Sequence, residues 1–176
     1  MIFPRLKKIS IPLLALGLSL TAHAGETVST MADSTADYAV NTYSSNMVES
    51  LAKLVSHNTV AVEGVPSDKN PIHIAFKQEL KKQAEALGLD YKDDGYVVII
   101  GLGEHQQRVG VITHGDVQPA TPEKWQQSPF KLDTTSEPGK LIGRGTEDDK
   151  GPISTALYAM KAIKDKQIKL NKRIEL

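Results

Sequence analysis

The sequence predicts an α/β domain. Apolar residues recur at helical spacing in three stretches, two dense β-branched runs lie between the second and third stretch, and the last three residues resemble the start of another strand. The resulting order of helix, helix, strand, strand, helix and strand is typical of a layered α/β fold.

Each predicted helix has a recognisable apolar stripe or terminus. The first spans residues 38–57. The second begins with Asn70 as the N-cap and Pro71 as the first helical residue, and ends at Gly88. The third opens at Pro152. The stripes of the first and third helices are formed by Met47, Val48, Leu51, Leu54 and Val55, and by Ile153, Ala156, Leu157, Met160 and Ile163.

The predicted strands lie in the middle of the chain. Residues 89–91 favour a short strand, and residues 96–102 and 108–113 favour longer ones. Both longer runs are apolar on both faces, which is typical of central strands covered by helices. Residues 118–140 contain four prolines and predict a long irregular excursion, and such long loops are usually functional.

The N-terminus predicts an export signal over residues 1–24. Three basic residues precede an apolar run over 9–20, and Ala22-His23-Ala24 forms a cleavage motif. A retained membrane anchor is the alternative, although the run is short of the roughly 20 residues that a spanning helix needs. We expect an exported protein, periplasmic or secreted, without stable membrane association after cleavage. Residues 25–37 are expected to be a flexible lead-in, and residues 38–176 to be the folded domain.

Charge and cysteine content limit the partners. Removing the signal takes away three positive charges from a balanced chain, which leaves a net charge of about −3. With no basic patch, a nucleic-acid partner is not expected. Because the chain has no cysteine, any metal must be bound by histidine and carboxylate side chains.

His114 and Asp116 follow the second β-branched run. Residues two apart on a strand point the same way, so these side chains are expected side by side at the carboxyl end of the sheet, where α/β proteins collect their sites. Asp116 would then fix the tautomer of an imidazole ligand. Considered alone, a histidine at a strand end is more often structural, and that alternative stays open.

A second acidic cluster precedes the third helix. Glu147, Asp148 and Asp149 follow a glycine-rich segment at residues 143–146. One carboxylate could cap the helix, but three in a row repel one another unless a cation lies nearby. Together with His114, the cluster favours a divalent metal and metal-assisted hydrolysis.

Three segments carry a family resemblance. T-H-G-D-V-Q-P at 113–119, W-x-x-x-P-F at 125–130 and G-R-G-T-E-D-D-K-G-P at 143–152 resemble the hallmark segments of the dinuclear zinc amidohydrolase and peptidase family, which includes bacterial dipeptidases, carnosinases, acetylornithine deacetylase and glutamate carboxypeptidases. The D-D-K-G-P form is more similar to the dipeptidase and carnosinase branch. The similarity runs through most of the mature chain.

The resemblance implies a three-layer zinc-peptidase catalytic domain with a mixed sheet, incomplete in this chain. It implies that His114 binds one Zn²⁺, that Asp148 bridges two, and that Asp116 steadies His114 in the catalytic site. It also implies a cis peptide bond between Asp148 and Asp149. A bridging water would attack the amide carbonyl of a small peptide substrate. Mn²⁺ or Co²⁺ would suit the same ligands.

In the family that the chain resembles, the general base is a glutamate of a Glu-Glu pair, and a lid domain often mediates homodimers. The resemblance implies that this pair, the remaining metal ligands and the lid domain would follow the last residue of this sequence. The sequence also ends inside a predicted strand, so we expect a longer protein. The alternatives are a catalytically inactive metal- or peptide-binding fragment, and an interaction domain that kept the fold. The substrate stays open among dipeptides, Xaa-His dipeptides, C-terminal residues and N-acyl amino acids.

Overall fold

The computed structural model describes the backbone from Ala15 to Leu176 and the side chains from Thr30 onward. The described residues divide into two compact units, one that ends at Ser34 and one over residues 35–176. The basic start of the predicted export signal lies outside the described residues, and cleavage after Ala24 stays a prediction. Across the described part of the chain, no helix is long and apolar enough to cross a membrane.

The first helix, α1 (Ala15–Val55), begins earlier than the sequence predicts. It includes residues 25–37, which we expected to be a flexible lead-in. No proline occurs between Pro12 and Pro66, and a helix nucleated further along the chain can extend into such a segment because propagation costs far less than nucleation. The buried apolar residues of its C-terminal half are Ala39, Leu51, Leu54 and Val55.

The other two helices are α2 (Pro71–Ala86) and α3 (Lys150–Asp165). The Asn70 side chain accepts a hydrogen bond from the amide of Ile72 at 2.9 Å, which confirms the predicted N-cap. Gly88 follows α2 with φ of +67°, as the predicted C′ glycine requires. α3 begins two residues before Pro152. A proline is tolerated there because the first amides of a helix have no intrahelical partner.

Four strands form one mixed sheet, which confirms the predicted α/β class. The strands are β1 (Asp90–Asp93), β2 (Val98–Leu102), β3 (Arg108–Gly110) and β4 (Arg173–Glu175), in the order β1-β2-β4-β3. β2 pairs antiparallel with β1 and β4, whereas β3 and β4 are parallel. A parallel pair needs a crossover connection, and here it contains the long excursion and α3.

β3 differs from the predicted strand over residues 108–113. Regular pairing ends at Gly110, and all three strand residues are exposed at the edge of the described sheet. Within the described residues, β3 therefore lacks the cover on both faces that the sequence predicts. The amide of Val111 still donates to the carbonyl of Glu175 at 2.8 Å, one residue beyond the last regular pair.

The main core joins the three helices to the sheet. Ile100 of β2 and Leu89 pack with buried side chains from each helix, which are Leu54, Phe76, Leu80, Ala84, Ile153, Leu157 and Met160. This core holds α1, α2 and α3 against the sheet.

The excursion between the sheet and α3 is mostly irregular, as predicted. It contains a short 3-10 turn at Pro122–Lys124 and one isolated bridge between Asp133 and Ile142. Arg144 fixes it at three points. Its amide donates to Pro129 at 2.7 Å, its guanidinium donates to the carbonyl of Pro119 at 3.2 Å, and the same group lies 5.4 Å from the centre of the Trp125 ring. Trp125 and Pro129 therefore make their contacts within the loop.

Candidate metal site

The first half of the site is a segment that we call the His114 arm, residues 113–117. It follows β3 and has no regular secondary structure. Nδ1 of His114 lies 3.1 Å from the backbone carbonyl oxygen of Asp116 and 3.2 Å from its carboxylate. The two predicted site residues are thus in contact, although they lie in a segment without regular structure where the sequence predicted strand alternation.

The second half is the Asp148 arm, residues 145–150. Oδ1 of Asp148 lies 2.8 Å from Nε2 of His114, so the structure brings together all three predicted site residues. The Asp148–Asp149 peptide bond is cis, as the resemblance implies. Asp149 occupies the N-cap position of α3, yet its carboxylate makes no capping hydrogen bond and accepts the amide of His114 at 3.3 Å instead.

The imidazole of His114 has an acceptor on both ring nitrogens. Partial burial opposes its charge, but the hydrogen bonds to the Asp116 carbonyl and the Asp148 carboxylate outweigh burial and raise the pKa of His114. Each acceptor favours a proton on the ring nitrogen that it faces, and a proton on Nε2 would lie between this atom and Oδ1 of Asp148. A metal ion shared by these two atoms would replace that proton.

The pair fits zinc in donor type and accessibility. Imidazole nitrogen and carboxylate oxygen bind Zn²⁺ at about 2.1 Å, which puts two ligands of a tetrahedral ion about 3.4 Å apart. The observed 2.8 Å is shorter by about 0.6 Å. The side chains of His114 and Asp148 are 50% and 78% exposed, so an ion can reach both from solvent.

The ligand set is incomplete. Among the residues whose side chains are described, no group of three His, Asp or Glu residues could hold a metal ion. His114 and Asp148 thus supply two donor groups, fewer than the four of a closed zinc site.

Lys150 is a residue whose role the sequence did not reveal. Its side chain is fully buried, Nζ donates to the backbone carbonyl of His57 at 2.7 Å, and the ammonium lies 5.2 Å from the centre of the Phe76 ring. Burial lowers the pKa of Lys150 to about 8. The available signal was its position, because residue 150 falls on the same helical face as Ile153 and Leu157.

A cavity of about 610 Å³ borders the His114 arm. Residues 110–116 form one wall, and apolar side chains of α2, β2 and α3 form others, among them Phe76, Leu80, Ile100 and Ile153. On this side the His114 arm therefore faces open volume and is not fixed by dense packing.

Comparison with known proteins finds similar sequences among peptidases. Residues 110–176 match the model of peptidase family M20/M25/M40. The chain is 36% identical to a β-Ala-Xaa dipeptidase of Lactobacillus delbrueckii over 116 residues, which cover 65% of this chain and 24% of that protein. It is 33% identical to a putative dipeptidase of Staphylococcus saprophyticus over 141 residues, or 78% of this chain and 29% of the relative.

The fold is also similar to a solved structure. Human carnosine dipeptidase 1 superimposes with a TM-score of 0.62 at 23% identity, over 82% of this chain and 33% of that one. The chain thus spans between a quarter and a third of the length of these proteins. On these matches, residues 110–176 are assigned to the M20/M25/M40 peptidase family, and the chain is similar to part of the dipeptidases named above.

Proposed function

We propose that the chain contributes half of the metal site of a zinc-dependent hydrolase that cleaves small peptides. His114 and Asp148 are the metal ligands in this proposal, and Asp116 orients His114. The observation that carries it is the 2.8 Å contact between Nε2 of His114 and Oδ1 of Asp148, with Nδ1 held by Asp116. The names of the dipeptidase relatives support a dipeptide as substrate.

The chain's own residues prepare the ligands. A hydrogen bond from Nδ1 to Asp116 places the ring proton on that nitrogen and leaves the lone pair of Nε2 for a metal. The carboxylate of Asp148 has two oxygens and can serve one metal or two. The carboxylate of Asp149 accepts a hydrogen bond from the backbone amide of His114 and so holds that part of the chain. When bound, zinc polarises a carbonyl and lowers the pKa of a bound water.

The second candidate is a fragment that binds metal or peptide without catalysis. The ligand count favours it for this chain alone, because two donor groups do not complete a zinc site. The two candidates agree on the metal ligands and differ in hydrolysis.

Metal binding tests the ligands directly. We expect calorimetry to detect Zn²⁺ binding to the 176-residue chain, and we expect Asp148→Asn and His114→Gln to weaken it at least tenfold. Glu147→Gln is the matched control, because it neutralises the adjacent carboxylate, which makes no contact with His114 among the described hydrogen bonds. If Glu147→Gln and Asp148→Asn weaken Zn²⁺ binding equally, the loss reflects the negative charge of the cluster and not a bond from Asp148. That result would contradict the ligand assignment. Tight binding of two zinc ions would contradict the ligand count.

Hydrolysis separates the two candidates. A β-alanyl dipeptide, the substrate in the name of one relative, is the first assay substrate. Cleavage that a chelator stops and that Asp148→Ala abolishes would support the hydrolase for this chain. Metal binding without cleavage would support the inactive fragment, whose activity would then require residues from elsewhere.

We also propose that residues 1–24 direct export to the periplasm or the medium and are removed. The cleavage motif before Gly25 supports this. Mass spectrometry of the protein from its source cells should find Gly25 at the N-terminus. An intact Met1 on the exported protein would contradict cleavage.

A further inference from the structure

We propose that the segment from His57 to Thr59 is a clamp that sets the distance between the His114 arm and the Asp148 arm, with Thr59 and Lys150 as its positioning residues. This inference rests on the proposed metal site and deepens it. The segment follows the end of α1, far from both arms in sequence.

Thr59 holds the His114 arm on both sides of Asp116. Its hydroxyl donates to the carbonyl of Gly115 at 2.6 Å, and its own carbonyl accepts the amide of Val117 at 3.2 Å. The side chain is only 1% exposed, so water does not readily replace these bonds. The bonds to Thr59 act on the arm together with its packing against Phe76, which lies close to Gly115.

The carbonyl of His57 holds the Asp148 arm. It accepts the ammonium of Lys150 at 2.7 Å and, in the same segment, the amide of Thr59 at 2.9 Å. Lys150 is two residues beyond Asp148, and its amide donates to the carbonyl of Gly145 at 2.9 Å. This bond joins the two ends of the Asp148 arm, and the Lys150 side chain attaches one end to His57. The Lys150 side chain is fully buried and has a single described hydrogen-bond acceptor, so the folded state is destabilised if that acceptor moves away.

Both arms are therefore bonded to the same three residues. A shift of this segment changes the separation of Nε2 of His114 from Oδ1 of Asp148, now 2.8 Å. Metal ligands require separations correct to a few tenths of an ångström, so the clamp matters for metal affinity beyond its effect on folding.

The test uses the 176-residue chain with Thr59→Val, Thr59→Ser and Lys150→Met. Ser154→Ala is the matched control, because it deletes another buried side-chain bond, the 2.8 Å donation to Met47 that ties α3 to α1 without touching either arm. Amide exchange by NMR is read in the opposite arm, at Val117 for Lys150→Met and at Lys150 for Thr59→Val. Zn²⁺ affinity is measured in parallel.

We expect the opposite-arm amide to exchange about tenfold faster in Thr59→Val and Lys150→Met, and Zn²⁺ affinity to fall by a similar factor, as the loss of one buried hydrogen bond implies. Thr59→Ser keeps the hydroxyl and should stay within about twofold of the parent, as should Ser154→Ala. If Lys150→Met does not fold, Thr59→Val decides.

Unchanged exchange in the opposite arm, or the same increase in Ser154→Ala, would overturn the clamp. If the parent chain binds no Zn²⁺, the proposed metal site fails, yet the exchange result still decides whether the arms are coupled. The two failures are thereby distinguished.

Discussion

Gly115 lies between His114 and Asp116 and leaves no room for a larger residue. A Cβ atom built on it would lie 2.3 Å from Cε1 and 2.8 Å from Cζ of Phe76. Carbon atoms in contact are about 3.5 Å or more apart, so Gly115→Ala must displace the ring or the arm by roughly 1 Å. Lys150 and His57 surround the same ring, with the ammonium 5.2 Å and the imidazole centre 5.9 Å from its centre.

Overpacking of this kind costs about 1–3 kcal/mol of the free energy of unfolding. The cavity beside Phe76 offers space into which the ring can move, which limits the cost to that range. Gly110→Ala is the matched control, because its Cβ would meet no atom within 4 Å and neither glycine has a positive φ. The control should leave stability unchanged or raise it slightly, since alanine restricts the unfolded chain more than glycine does.

Urea unfolding of Gly115→Ala, Phe76→Leu and the double variant measures the contact. We expect the penalty of Gly115→Ala to shrink by about 1 kcal/mol or more when Phe76 is leucine, because neighbouring residues in contact are energetically coupled. An equal penalty in both backgrounds, or a Gly115→Ala variant as stable as Gly110→Ala, would refute the steric reasoning.

Two further predictions concern stability alone. Asp133 accepts hydrogen bonds from Ser136 and Thr135, which hold the pKa of its carboxyl below the usual range, so its stabilisation is present above the unfolded pKa near 4 and is lost as pH falls through the folded value. Asp133→Asn should therefore flatten the acid limb of a urea-stability profile, and an unchanged limb would contradict the loop contact. Leu157→Ala, at a fully buried position, should cost about 2–5 kcal/mol in the same assay, whereas Leu141→Ala, at a position 40% exposed, should cost far less.

The boundaries of α2 could be predicted because their causes are local. Asn70, Pro71 and Gly88 act within one turn of the helix that they delimit, and the structure confirms each. The extent of β3 could not be predicted in the same way. Its pairing partner is β4, a strand more than sixty residues further along the chain, so no local pattern marks where the pairing ends.

The site shows the same division. The contact between His114 and Asp116 was predicted from their spacing on a strand, but it forms in an irregular segment, and the distance from His114 to Asp148 depends on how the chain returns to α3. Lys150 was not singled out in the sequence. Its burial depends on the carbonyl of His57, which no pattern near residue 150 reveals.

The three attachments of Arg144 divide the long excursion into short loops. Lengthening a loop costs little closure entropy, about 0.6 kcal/mol for each doubling. The contacts of Arg144 with Pro119, Trp125 and Pro129 lie between the outer part of the excursion and the two arms, so a longer outer loop need not move the arms. Residues 137–140 are all exposed, lie beyond the last attachment at Pro129 and do not include Thr135 and Ser136, which donate to Asp133. This stretch is therefore a suitable insertion point for a fluorescent reporter or an epitope, which would follow the protein in cells while leaving the spacing of His114 and Asp148 unchanged.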